Sequence, residues 1–297
     1  MRKCQWLMIS LMLVLLAGCG YQAQAKIQAV ASFSIIADLV AQVGGDKVEV
    51  KSIIPFGGDP HHWEATSREA ISIAKADILF YNGLGLETWI EKLVDSAGTS
   101  SLRKVVLSQG LIPLPGVSHD HHDHQGGDPH FWHDVDHVKH YVKIISRELT
   151  ELDPGNQEYY ERRAQAYLEE LTKLDNWLVE QISMIPVENR KFISYHASFN
   201  YLAHRYGLEV IGHIVTNPDS EPSARDLGVL ASVLNKHNRK VIFIEPQAAN
   251  QLRLAEVLAS EVGGKVYTLY SDSLSSEAPT YLDMMYHNGK TLLEALK

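Results

Sequence analysis

Eight of the fifteen histidines in this 297-residue chain lie between His119 and His140. The stretch His119–His133 reads HDHHDHQGGDPHFWH and has two halves of different character. HDHHDH is polar with no apolar period and reads as a solvated loop. DPHFW is an Asp-Pro corner followed by a histidine and two aromatics, and Asp59–Trp63 repeats it as DPHHW. Proline fixes its own φ and pushes the residue before it to an extended shape, so the histidine after each Asp-Pro step is aimed rather than loose. A histidine placed twice in one local geometry points to metal chemistry.

Cysteine takes no part in it. Arg2 and Lys3 precede an apolar run at Trp6–Leu16 and the sequence Leu16-Ala17-Gly18-Cys19. This reads as a secretory signal over residues 1–18, with an apolar run too short to span a bilayer comfortably. The LAGC ending resembles the bacterial lipobox, which implies cleavage before Cys19 and lipidation of its thiol. Cys4 leaves with the signal and Cys19 is consumed, so no thiolate remains for a disulfide, a nucleophile or a metal. Nitrogen and oxygen must hold any ion. A net charge of −9 gives no footprint for nucleic acid, and 45% hydrophobic with 21% charged residues is ordinary for a globular chain.

Positioning these side chains falls to alternating strands and helices. Strands are expected at Ile27–Ala31, Val48–Ile54, Ile78–Tyr81 and Lys104–Leu107, with helices near Ser34–Val43, from a Thr66/Glu69 capping box to about Ala76, and near Glu87–Ala97. A long loop follows from about Ser108 to Asp128, then a helix from about Asp134 to Thr150. Asp153-Pro154-Gly155-Asn156 breaks the chain, with Asn156 as the expected N-cap of a helix running to about Ser183. That helix sets Tyr160, Tyr167, Leu171, Leu174 and Leu178 on one face and spans roughly 40 Å. The same rhythm then returns. Strands fall at Phe192–Tyr195, Glu209–Ile214, Val241–Ile244 and Val266–Tyr270, with helices near Phe199–Tyr206, Ala224–Asn235, Asn250–Val262 and Tyr281–Leu296. The expected fold is α/β, with two lobes of about four parallel strands each joined by one long rigid helix. The lobes are residues 19–153, including a His-rich loop at 114–128, and residues 186–297; residues 154–185 link them.

Open parallel sheets bind ligands beyond the carboxyl ends of their strands. His61, His130, His196 and Asp272 all follow strand ends, two from each lobe, and would close a four-coordinate site in the cleft. His62 competes with His61 on spacing alone. His133, His137 and His140 share a helical face, either as a second metal pair or, more simply, as a solvated polar face. His204, His213, His237 and His287 are isolated and read as structural. His119–His124 also matches HxHxDH, the pattern of metallo-β-lactamase-like hydrolases, but a tract made of His and Asp meets it by chance and no paired hairpins surround it.

Taken together, GGDPHHWE, NGLGLETW at Asn82–Trp89, DPHFW, YHASFNYLAHRYGL at Tyr195–Leu208, FIEPQ at Phe243–Gln247 and the DSL…YLDMMYHN tail resemble the solute-binding lipoproteins of zinc and manganese ABC importers. The resemblance covers essentially the whole mature chain. It implies His61, His130, His196 and Asp272 as ligands, an ABC permease as partner, no catalysis, and an extracytoplasmic monomer held to the membrane through lipid on Cys19. It also implies a His-rich loop of the zinc branch, with His119, His121, His122 and His124 as an accessory, weaker site. Manganese-selective relatives tend to carry glutamate as the third ligand, so His196 favours Zn2+ over Mn2+ as the cargo. Surface lipoproteins of this kind have also been regarded as adhesins. The chain departs from the family where Glu64-Ala65-Thr66-Ser67 replaces Glu-Pro-Thr-Pro and where His133-Asp134-Val135 replaces Leu-Asp-Pro, which makes His133 a candidate extra ligand.

Overall fold

The computed structural model describes residues 25–116, 127–215, 222–247 and 252–297. The signal, Cys19 and the accessory histidines His119, His121, His122 and His124 lie outside them.

β1 (Ile27–Ala31), β2 (Val48–Ser52), β3 (Ile78–Tyr81) and β4 (Arg103–Val106) form one parallel sheet in the order β2-β1-β3-β4. β5 (Lys191–Ser194), β6 (Glu209–His213), β7 (Val241–Ile244) and β8 (Lys265–Thr268) form a second, ordered β6-β5-β7-β8. The two orders are the same order. The edge strands β2, β4, β6 and β8 carry exposed or half-buried residues. The inner strands β1, β3, β5 and β7 are short, largely buried runs because helices cover both faces of a parallel sheet. In the first half these helices are α1 (Ser34–Gly44), α2 (Ser67–Ala74), α3 (Ile90–Ala97) and α4 (Val135–Leu152).

α5 (Gln157–Ser183) is the long helix, and it buries Tyr160, Tyr167, Leu171, Leu174 and Leu178 as the periodicity requires. α6 (Asn200–Tyr206), α7 (Ala224–Lys236), α8 (Leu252–Val262) and α9 (Tyr281–Leu296) complete the second half. α5 packs on α4, α1 and α9, so one hydrophobic core runs from the first sheet through α5 to the inner face of the second. A smaller core under α7 and α8 fills the outer face. No described helix is long and apolar enough to cross a membrane.

Two starts differ from expectation, each because a side chain took another partner. α3 begins at Ile90 rather than Glu87, whose carboxylate is spent on the backbone N–H groups of Asn82 and Gly83. Asn156 does not cap α5 with its side chain; it donates to Asp153 Oδ2 at 2.6 Å, inside a 3-10 turn at Pro154–Asn156 that leads into the helix. The Thr66/Glu69 capping box forms as read, so α2 starts without the prolines of the family pattern.

The halves are stitched together around the strand ends. Trp132 Nε1 donates to Ser271 O at 2.7 Å, and Leu274 N–H donates to Ser34 Oγ at 2.9 Å. Gly57 N–H donates to Ser273 Oγ at 2.7 Å, and Tyr281 N–H to Asp38 Oδ2 at 2.8 Å.

Candidate metal centre

His61, His130, His196 and Asp272 converge at the carboxyl ends of the two sheets, one ligating atom from each lying within 4.8 Å of every other. All four are buried, at 6%, 4%, 1% and 0% exposure. His61 Nε2 stands 3.1 Å from His130 Nε2, and His196 Nε2 stands 3.1 Å from Asp272 Oδ2. Asp272 lies 3.8 Å from His61 Nε2 and 3.9 Å from His130 Nε2. A tetrahedron with bonds of about 2.0–2.1 Å has edges of about 3.3 Å, so these separations bracket the size of a small divalent ion.

Carboxylates set the ring tautomers. His130 Nδ1 donates to Asp128 Oδ1 at 2.7 Å, and His196 Nδ1 donates to Glu245 Oε2 at 2.5 Å. With Nδ1 donating to a carboxylate, each Nε2 is left facing the centre. Glu245 follows β7 directly, 1% exposed, beside the strand that delivers His196. It was not among the residues singled out from sequence, although a carboxylate ending the apolar run VIFI was the available signal. Both Asp272 oxygens and His196 Nε2 lack a hydrogen-bond partner among the described residues. Buried polar atoms left this way need another partner, and a cation supplies one.

The charges agree. Burial raises the Asp272 carboxyl, but His196, then His130 and His61, hold it well below the usual carboxylate range. Burial lowers His196, but Glu245 and Asp272 on either side carry it well above the usual imidazole value. Without an ion, that imidazole keeps a proton where a metal would sit. Burial, and then the Asp272 charge, push Asp59 up to about 6.

His61 lies in the cluster, whereas His62 is exposed and outside it. The face His133-His137-His140 is not uniformly solvated: His133 is buried, while His137 and His140 are half-buried. His133 is fully buried between Trp132 and Phe199, and burial depresses it to about 3. His137 meets the edges of Phe131 and Tyr201, and His140 Nε2 donates to Gln109 O at 2.9 Å. Imidazole here fills space between α4, α6 and the incoming loop. His133 is not one of the four converging residues.

The four groups could hold one ion, and four protein ligands would complete a tetrahedron with no open position for a reacting water. Two similar lobes meeting over such a centre define the class of metal-binding solute-binding proteins. The profile of the family described as "Zinc-uptake complex component A periplasmic" matches residues 29–295, and the chain belongs to that family, the solute-binding components of metal ABC importers rather than enzymes. The manganese-binding lipoprotein MntA of Halalkalibacterium halodurans is 30% identical over 303 residues, covering 99% of this chain and 99% of its own. The high-affinity zinc uptake protein ZnuA of Bacillus subtilis is 32% identical over 285 residues, covering 92% and 87%. Among solved structures, a variant of the Mn-bound periplasmic metal-binding protein of Candidatus Liberibacter asiaticus superposes with a TM-score of 0.82 at 30% identity, covering 92% of this chain and 100% of that one. The hydrolase alternative falls with the fold: the described residues form two separate parallel sheets, not a double-sheet sandwich.

Proposed function

We propose that the chain captures Zn2+ at His61, His130, His196 and Asp272 and presents it to the permease of its importer, working as a monomer outside the cytoplasm with lipid on Cys19 as its anchor. The observation that carries this reading is the buried convergence of three imidazoles and one carboxylate within 4.8 Å. Relatives are named for zinc and for manganese, so the ligand set supports the choice between them. Three nitrogens and one oxygen suit tetrahedral zinc, whereas manganese favours more oxygen ligands and a higher coordination number. The affinity order of divalent ions points the same way.

The test is titration of the mature protein against a calibrated chelator, comparing wild type, His196→Glu, each ligand changed to alanine, and deletion of residues 117–126. Zinc binding tighter than manganese binding, lost in the alanine variants and kept after the deletion, is expected. His196→Glu should shift the balance toward manganese. Tight zinc binding that disappears with the loop but survives His196→Glu would overturn the assignment. Binding to another cell's protein that persists with all four ligands changed and the metal chelated would favour the adhesin role instead.

A further inference from the structure

The NGLGLETW segment, between β3 and α3, supplies no ligand, yet its two ends hold equivalent atoms in the two Asp-Pro-His turns. Asn82 Nδ2 donates to Pro129 O at 3.0 Å, and Trp89 Nε1 donates to Pro60 O at 3.0 Å. These carbonyls belong to the peptide units that enter His130 and His61. The opposite side of each unit is held as well. His130 N–H donates to Asp128 Oδ1 at 3.0 Å, and His61 N–H donates to Asp59 Oδ1 at 2.8 Å. A peptide unit is planar, so fixing its oxygen and its nitrogen fixes the direction in which the histidine sets off.

The segment is itself braced. Glu87, 4% exposed, accepts from Asn82 N–H at 2.8 Å, Gly83 N–H at 3.0 Å and Ser32 Oγ at 2.8 Å. Tyr141 donates its hydroxyl to Asn82 Oδ1 at 2.5 Å, which turns the amide nitrogen toward Pro129. Leu84 takes a positive φ of 54° between two glycines that do the same. Such a conformation in a leucine costs free energy and persists only where its surroundings over-determine it.

We propose that Asn82 and Trp89 are positioning residues, and that this one loop sets the placement of His61 relative to His130. The inference rests on the metal reading above. The two Nε2 atoms stand 3.1 Å apart, within hydrogen-bond distance of each other in the metal-free protein, so the placement of one ring bears directly on the other. Backbone held from outside fixes where each ring sets off, and affinity gains from not having to order them at the moment of binding.

The experiment compares wild type, Trp89→Phe, Asn82→Ala, His61→Ala and His130→Ala in the mature protein. It reads zinc affinity by chelator competition, the visible absorption of bound Co2+, and the melting temperature of the metal-free protein. Trp89→Phe and Asn82→Ala should each weaken zinc by about tenfold to a hundredfold, the range for groups that orient metal ligands, and alter the Co2+ bands. Their metal-free melting temperatures should stay within a few degrees of wild type. Trp89→Phe keeps an aromatic ring and removes the N–H, so it decides alone if Asn82→Ala melts earlier. Wild-type affinity and Co2+ bands in Trp89→Phe, with binding abolished in both histidine variants, would overturn the positioning role. Tight zinc in the histidine variants would overturn the metal reading and this inference with it.

Discussion

At the level of single residues, two histidines of the centre are held by carboxylates that stand outside the cluster. Asp128 spreads its charge over the His130 ring, the His130 N–H and the Asn200 amide. Glu245 meets His196 at the ring and, more distantly, at the main chain. Glu245→Gln keeps an acceptor for Nδ1 but removes the charge, and should weaken zinc by about tenfold to a hundredfold in chelator competition. An unchanged affinity would mean that Glu245 only orients the ring. Affinity should also depend on pH, and the sign follows from His196. The metal-free site holds a proton on this imidazole well above its usual value, and the loaded site cannot, so binding expels a proton and tightens as pH rises. The fall with acid should therefore begin above the ordinary imidazole value of about 6.5, at up to about tenfold per pH unit. A flat profile of affinity between pH 6 and 8, roughly the span over which imidazoles titrate, would count against histidine ligation. All four converging residues were legible because each follows a strand end. Glu245 was not, because nothing in a sequence says which strand neighbours the one that carries His196.

Among elements, most boundaries were legible from periodicity and from the Pro and Gly breaks, and the errors came where a polar side chain could choose between partners, as at Glu87 and Asn156. A further tie was not legible at all. Arg205 on α6 reaches Asp175 on α5 at 2.6 Å and Asp136 on α4 at 2.5 Å, while Tyr206 donates to Asp175 at 2.9 Å. Three successive helices meet at one guanidinium, through residues spread from Asp136 to Arg205, which spacing along a sequence cannot reveal. Removing one partner of a buried ion pair leaves the other charge stranded; with Arg205 partly exposed, Arg205→Ala should cost about 2 kcal/mol. That is a drop of several degrees in the melting temperature of the metal-free protein. Arg205→Lys should recover only part of it, because an ammonium cannot reproduce the fork.

For the whole molecule, the alternation of strands and helices foretold two parallel sheets. The identical strand orders, and the stitching of Ser271–Tyr281 onto Ser34, Asp38, Gly57 and Trp132, emerged only from the structure. Long-range packing of that kind leaves no local pattern. Because the four ligands come from four separate loops, each more than sixty residues from the next, the unfolded chain cannot offer them together. The binding free energy of this centre therefore arrives late, after both sheets have met. In kinetic language, zinc should slow unfolding while leaving the refolding rate nearly unchanged. Stopped-flow refolding and unfolding with zinc or with chelator would test this, and a refolding rate that climbs with zinc would show the site forming early. On this account the cargo acts as a lock on the finished fold and takes no part in building it.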